Sequence, residues 1–389
     1  MNRRSFLTAA AFPFIARAAK PVRITGLDLY TVHVPTPKDQ VEMGVQDRYQ
    51  VAEIHTDAGV TGYSFAAYPA SQLPALRNMV LGRDLFNIDE ILKAGILKFA
   101  GIEHACWDAI GRICGQPVYK LLGGNSDRVK AYVTCVWKGK LDQSHISFRE
   151  QAEQALRLKK AGFKGMKIRA WRPHPMDDVD ACGEIRAAVG ENFDIMFDRT
   201  AYAPQAVGQK IWDYETGLRI ARGLERHRAL WLEEPFAIDD YKTHAKLASA
   251  VDILITGGEH FLGVDGFHQS LLHRAYDILQ PEGERSGGIW LCRKVAMMAE
   301  PFNVPVILHG TMALRLAGWL NASFANGSEW QEVALVTPPL IPQQQWAPGL
   351  RLLKSKEMYR IEDGSFVASE LPGLGLDVNP DALKEFRVA

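Results

Sequence analysis

From Val22 onward, apolar residues recur among polar ones at strand spacing, as Ile24, Leu27, Leu29 and Val32 do. A second such stretch, 51–63, is folded back at Asp57-Ala58-Gly59, so a small antiparallel sheet is predicted here. Between Ile88 and Leu122 the period becomes helical, with Ile91, Leu92, Ile96, Leu97, Ile102, Ala105, Cys106, Ala109 and Ile110 in register, and Gly123-Gly124-Asn125 ends it. Beyond Gly124 the pattern is short apolar runs, each followed by a helical stretch: 131–136, 165–168, 195–197, 230–232, 253–255, 278–279 and 304–308.

Strands alternating with helices at this spacing are parallel β/α units. Seven clear units and a fainter eighth ending near Ser328-Glu329 predict an α/β fold, a (β/α)8 TIM barrel. The competing architecture is an open doubly wound sheet; it is disfavoured because no glycine-rich dinucleotide fingerprint follows the first strand. After Pro348 the text, with Leu371-Pro372-Gly373-Leu374-Gly375, reads as extended and turn structure returning to the N-terminal unit. The expected layout is a signal at 1–18, an α+β capping domain at 19–127, the barrel at 128–345, and a C-terminal segment at 346–389 that completes the cap.

Composition narrows the partner. Lys plus Arg and Asp plus Glu both number 45, so no long-range field recruits nucleic acid or an anionic membrane, and a small molecule is expected. The apolar stretch after Asn2-Arg3-Arg4-Ser5-Phe6-Leu7 is too short to span a bilayer. With its paired arginines it resembles a twin-arginine export signal, giving an exported or periplasmic protein, or a cytoplasmic one if the segment is not a signal. Five cysteines, Cys106, Cys114, Cys135, Cys182 and Cys292, with no close pair, argue against a disulfide framework and a zinc site. The expected assembly is a homo-oligomer.

Barrels of this kind assemble their chemistry at the C-terminal ends of the strands. There the sequence places Lys167 and Arg169 after strand two, Asp198 after three, Glu233 after four, Glu259 after five, Glu282 after six, His309 after seven and Glu329 after eight. Asp198, Glu233 and Glu259 on adjacent strands would repel one another unless a cation sat between them, and all-oxygen ligation suits Mg²⁺. A lone strand-end acid is more often a structural charge; a spaced triple points to a metal.

The chain resembles the mandelate racemase-like branch of the enolase superfamily. The matching text is Ala105-Cys106-Trp107-Asp108, Leu121-Leu122-Gly123-Gly124, Lys167-Ile168-Arg169, Phe197-Asp198, Trp231-Leu232-Glu233-Glu234-Pro235, Gly257-Gly258-Glu259, Gln280-Pro281-Glu282 with Ser286-Gly287-Gly288, and Glu329-Trp330. The resemblance implies Asp198, Glu233 and Glu259 as Mg²⁺ ligands, with Glu234 pointing away. It also implies His309 as acid/base held by Glu282, Glu329 as hydrogen-bond partner of the substrate carboxylate, and abstraction of the proton alpha to that carboxylate. A bound cation and a hydrogen-bond donor would stabilise the enediolate that results.

Departures from the family pattern refine the reaction. Arg169 stands where racemases of this branch carry a second lysine base; a guanidinium keeps its proton and binds carboxylates instead. One base, His309, suffices for dehydration, so an aldonic or aldaric acid yielding a 2-keto-3-deoxy acid is expected ahead of a racemase or epimerase. Glu282 is one methylene longer than the family's Asp. Arg172 and His174, in the loop after strand two, are candidates for substrate hydroxyls or a second carboxylate, and Lys38, Glu42 and Arg48 for the lid. A catalytically silent exported binding protein and a metal-independent glycosidase are the alternatives from other classes.

Overall fold

The computed structural model describes residues 20–65, 70–124, 126–136, 144–200, 210–310, 330–336, 347–357 and 360–388. The expected export signal and Glu329 lie outside the described residues.

Strands β1 (Ile24–His33), β2 (Arg48–Thr56) and β3 (Thr61–Phe65) form an antiparallel sheet, which the last strand, β13 (Arg387–Val388), joins in the order β13-β1-β2-β3. Ile24, Leu27, Leu29 and Val32 are buried on it. At the β2–β3 turn Gly59 has φ +73°, a left-handed conformation that glycine adopts without strain. Helices α1 (Lys38–Glu42), α2 (Leu73–Val80), α3 (Ile88–Lys93), α4 (Ala100–Cys114) and α5 (Val118–Leu121) complete this cap. Helix α4 lies directly on β3: a Cβ at Gly62 would come within 2.6 Å of the Ala109 nitrogen and closer still to the Ala105 carbonyl. Buried from Ala100 through Gly111, α4 is a central helix with no solvated stripe over that stretch. Its Asp108 accepts the backbone N–H groups of Tyr63 and Leu374, each at 2.9 Å, and so joins the cap strand to the C-terminal segment.

Strands β4 (Arg128–Val136), β5 (Gly165–Arg169), β6 (Asp194–Asp198), β7 (Trp231–Glu233), β8 (Leu254–Gly257) and β9 (Ile278–Leu279) run as a parallel ladder in that order. The seventh position is held by parallel bridges Leu279↔Val306 and Glu282↔His309. Strand β10 (Trp330–Val336) then pairs in parallel with β4 from Trp330↔Lys130 to Val336↔Val136. Among the described residues, six helices pack around the strands: α6 (Phe148–Lys160), α7 (Met176–Val189), α8 (Tyr214–Arg226), α9 (Tyr241–Ala248), α10 (Asp265–His273) and α12 (Ile289–Ala299). The short α11 (Gly283–Ser286) precedes α12. Ser147 and Glu150 cap α6 reciprocally, while Asp213 and Asp240 cap α8 and α9, satisfying N–H groups that have no partner within the helix. The C-terminal segment carries α13 (Ala347–Leu350), a hairpin of β11 (Arg360–Glu362) and β12 (Ser365–Val367) paired to the start of β4, and α14 (Pro380–Phe386) leading into β13. Cap and barrel meet at Glu103 of α4, whose carboxylate accepts the first N–H groups of α12, Ile289 and Trp290, both at 2.9 Å.

The eighth strand begins at Trp330 rather than ending near Glu329. Its first turn of pleat carries Gln331 and Glu332, both buried, and two polar residues in a row look like a loop when only apolar runs are counted.

Side chains two apart on a strand share a face. Inside the barrel, Tyr132, Met196, Trp231, Ile278, Ile307 and Trp330 form one apolar cluster. Two residues further along each of those segments stand Thr134, Asp198, Glu233, Gln280, His309 and Glu332, all buried. An apolar floor is thus overlaid by a polar ring. No helix among the described residues is long and apolar enough to cross a membrane. All five cysteines are free, and Cys106, Cys135, Cys182 and Cys292 are buried.

Candidate active site

Lys167, fully buried on β5, is the hub of the ring. Its Nζ lies 2.9 Å from Glu233 Oε2, 3.3 Å from Asp198 Oδ2 and 3.2 Å from Glu332 Oε1. Burial alone would strip its proton, but the surrounding carboxylates, Glu233 first, outweigh that and hold the ammonium well above the ordinary lysine range. Glu332 also accepts from the Thr134 hydroxyl, and Gln280 Nε2 donates to Glu233 Oε2 at 3.2 Å. Burial, with Asp198 beside it, pushes Glu233 up to about 7 despite Lys167.

Arg169, one pleat above Lys167, donates to both Asp198 and Thr200 and lies over the Trp171 ring, its carbon 5.5 Å from the ring centre. It is committed to Asp198 in this structure. Glu259 lies against His309, with Oε2 to Nε2 at 2.6 Å, and against His260, with Oε1 to Nδ1 at 3.0 Å. Burial would lower the His309 imidazole, but Glu259 and then Glu332, whose Oε2 is 3.5 Å away, overcome it and raise the ring to about 9. Glu234, the next residue after the strand-four acid, turns out of the ring at φ 44° and accepts Gly258 N–H at 3.2 Å.

Lys167, Arg169, Asp198, Glu233, Glu259 and His309 are therefore brought together, and three expected residues, Glu282, Arg172 and His174, are not. Glu282 does not orient His309. The two meet only through their backbones, and the Glu282 carboxylate curls onto the start of α11, where Oε2 accepts Glu284 N–H at 3.2 Å and Arg285 N–H at 2.7 Å. Open helix N–H groups attract a carboxylate, and the extra methylene lets it reach them. Arg172 is a buried structural brace, donating to the Ser144 and Ile146 carbonyls and to Gln151 Oε1 and lying 3.6 Å from Asp178. His174 is exposed on the same loop, outside the ring's contacts. Glu329 precedes β10 and lies outside the described residues; among the described residues, the acid of strand eight that reaches the cluster is Glu332. Thr134, Gln280 and Glu332 went unpredicted, and the signal for all three was the two-residue pleat running on from Tyr132, Ile278 and Trp330.

The described groups whose ligand atoms lie within 4.8 Å of one another are Glu234–Glu259–His260 and Asp28–Glu53–His55. Asp198 and Glu233 are instead bridged by Lys167, with Glu259 drawn to the two histidines. Yet Asp198, Glu233, Glu234, Glu259 and Glu332 are five buried carboxylates, and among the described residues the permanent cations set between them are Lys167, buried, and Arg169, partly buried. Such a set favours a further cation, and hard oxygen donors select a hard one.

Residues 148–382 match the model described as enolase C-terminal domain-like, and residues 27–123 match that of the mandelate racemase / muconate lactonizing enzyme N-terminal domain. The chain is 29% identical over 293 residues to an arabinonate dehydratase of Saccharolobus solfataricus, covering 75% of this chain and 72% of that protein. It is 28% identical over 362 residues to a D-galactonate dehydratase of Ralstonia pickettii, covering 85% and 89%. The fold is similar to that of an L-talarate dehydratase from a Polaromonas species solved with Mg and L-glucarate, with a TM-score of 0.73 at 23% identity, covering 95% of this chain and 98% of that one. The chain thus belongs to the mandelate racemase / muconate lactonizing enzyme family, with an enolase-type C-terminal domain beneath its N-terminal cap.

Proposed function

We propose that this protein is a Mg²⁺-dependent sugar acid dehydratase, a hydro-lyase that removes the proton alpha to a carboxylate and expels the neighbouring hydroxyl. The observation that carries the reading is the polar ring, where buried acids on neighbouring strands face Lys167 with His309 and Glu332 beside them. The arabinonate and galactonate dehydratases among its relatives, and the Mg and L-glucarate in the talarate dehydratase, support it.

Asp198, Glu233 and Glu259 are the residues that would hold Mg²⁺. When bound, the ion acts as a Lewis acid that offsets negative charge growing on the substrate carboxylate. His309, in its neutral form, takes the alpha proton onto its imidazole and returns it to the departing hydroxyl, so that water leaves and the enol left behind becomes the 2-keto-3-deoxy acid. Lys167 hydrogen-bonds the substrate carboxylate as its charge rises, and Glu332, an ionised acceptor, holds the Lys167 ammonium in place. Arg169 cannot serve as a second base, since it never gives up its proton and is committed to Asp198, so a racemase's two-faced proton exchange lacks one partner. Export through residues 1–18 and a homo-oligomeric state belong to the same proposal.

The test is a screen of aldonic and aldaric acids with Mg²⁺ for 2-keto-3-deoxy product, repeated in deuterium oxide, with His309→Asn as control. Product from at least one acid, lost with chelator and in the control, is expected. Alpha-deuterium exchange without loss of water would make it a racemase or epimerase, and neither product nor exchange would sink the enzyme reading.

A further inference from the structure

Glu259 is also held by two residues outside the polar ring. His260 Nδ1 lies 3.0 Å from Glu259 Oε1, and Arg285 Nη1 donates to His260 Nε2 at 2.6 Å while lying 3.5 Å from the same Oε1. A guanidinium has only hydrogen-bond donors, so the imidazole nitrogen that faces it must accept. That assigns the neutral ring with its hydrogen on Nδ1, the nitrogen in ion-pair range of the carboxylate but not aligned for a hydrogen bond to it in this structure. The other carboxylate oxygen, Oε2, faces His309 instead. The two oxygens of Glu259 are therefore inequivalent, one committed to His260 and Arg285 and one turned to the ring. Arg285 itself is placed by Glu282, which accepts its backbone N–H at 2.7 Å.

We propose that Glu282, Arg285 and His260 form a positioning relay for Glu259, in which Arg285 locks the tautomer of His260 and His260 holds Oε1, leaving Oε2 as the oxygen offered to the cation. The proposal rests on the reading of Asp198, Glu233 and Glu259 as the Mg²⁺ site. It gives Glu282 a task other than orienting His309, since the longer side chain reaches α11 and sets Arg285. None of the three touches substrate in this scheme; they act through Glu259. Groups that orient a metal ligand in this way typically govern about 10–100-fold in affinity.

The test is calorimetric titration of Mg²⁺ into the full chain without substrate, alongside thermal melts that report folding. Wild type is expected to bind at one site that Asp198→Asn abolishes. His260→Ala and His260→Gln are expected to weaken binding about tenfold, and Arg285→Met by a smaller factor. His260→Asn, whose amide nitrogen falls where Nδ1 stood, is expected to stay within about threefold of wild type. A packing role would rank Gln above Asn by size, so that order would overturn the relay. Binding by His260→Ala indistinguishable from wild type would overturn it too, with the metal reading intact. No binding by wild type would instead remove the metal reading, and the relay with it. If His260→Ala does not fold, the comparison of Asn with Gln decides.

Discussion

Replacing Lys167 with methionine tests whether the ring is an electrostatic unit. The thioether fills nearly the same volume, so the change is almost purely the loss of an ammonium that lies within 3.3 Å of Asp198, Glu233 and Glu332. All four groups are buried, so water cannot take over its role. Removing one partner of a buried ionic cluster typically costs about 3–5 kcal/mol, because the remaining charges stay desolvated without compensation. Arg169 still faces Asp198, which places the expected loss toward the lower end, about 3 kcal/mol. Guanidinium unfolding in metal-free buffer at neutral pH reads this as a lower midpoint at unchanged slope. A second readout separates charge from packing. Lys167 competes with any cation for Asp198 and Glu233, so Mg²⁺ should raise the unfolding midpoint of Lys167→Met by more than it raises that of wild type. A loss under about 1 kcal/mol, or an equal response to Mg²⁺, would show that the acids of this ring are not held against one another by the lysine.

Two predictions concern the frame around the site. Gly62→Ala should destabilise the cap by at least about 2 kcal/mol in denaturant unfolding, because its Cβ would meet α4 backbone, which cannot swing aside as a side chain can; an effect under 0.5 kcal/mol would refute the close packing of β3 on α4. His244 sits between Phe236 and Tyr276, its ring 5.2 and 4.8 Å from theirs, and burial lowers it to about 4. The unfolded chain binds this proton near pH 6.5 while the folded one does not, so stability falls as pH drops from about 6.5 to 4, by about 3 kcal/mol in total. Stability of His244→Phe against pH should lack that component, and parallel curves for variant and wild type would contradict it.

Asp198, Glu233 and His309 were legible because each ends an apolar run, with Lys167 and Glu259 within a few residues of such an end, and the energetics of a buried strand impose that order locally. What the fold did with Arg172 was not legible. Its partners, the Ser144 and Ile146 carbonyls and Gln151, are distant in sequence, and nothing in Trp171-Arg172-Pro173-His174 distinguishes an arginine that faces a ligand from one that braces a loop. Glu282 was misassigned for a subtler reason. Its backbone does sit beside His309, but which way a carboxylate turns depends on the competing acceptor-hungry N–H groups of a helix four residues long, whose existence the sequence does not announce.

Glu332 differs from both, because its signal was present. Reading strands by where apolar runs stop works for β6 and β7, which end at Asp198 and Glu233, and it fails for β10, where the ring residue comes third and the strand continues through Val333 to Val336. Reading them by pleat does not fail. Each floor residue, from Tyr132 to Trp330, has its ring partner two positions on, because these six strand segments share one interior apolar floor and side chains two apart share a face. Charge enters immediately above that floor. The ring's acids are consequently seated on aromatic and aliphatic side chains, which exclude water from beneath them, and this is what makes Lys167 indispensable and a further cation favourable.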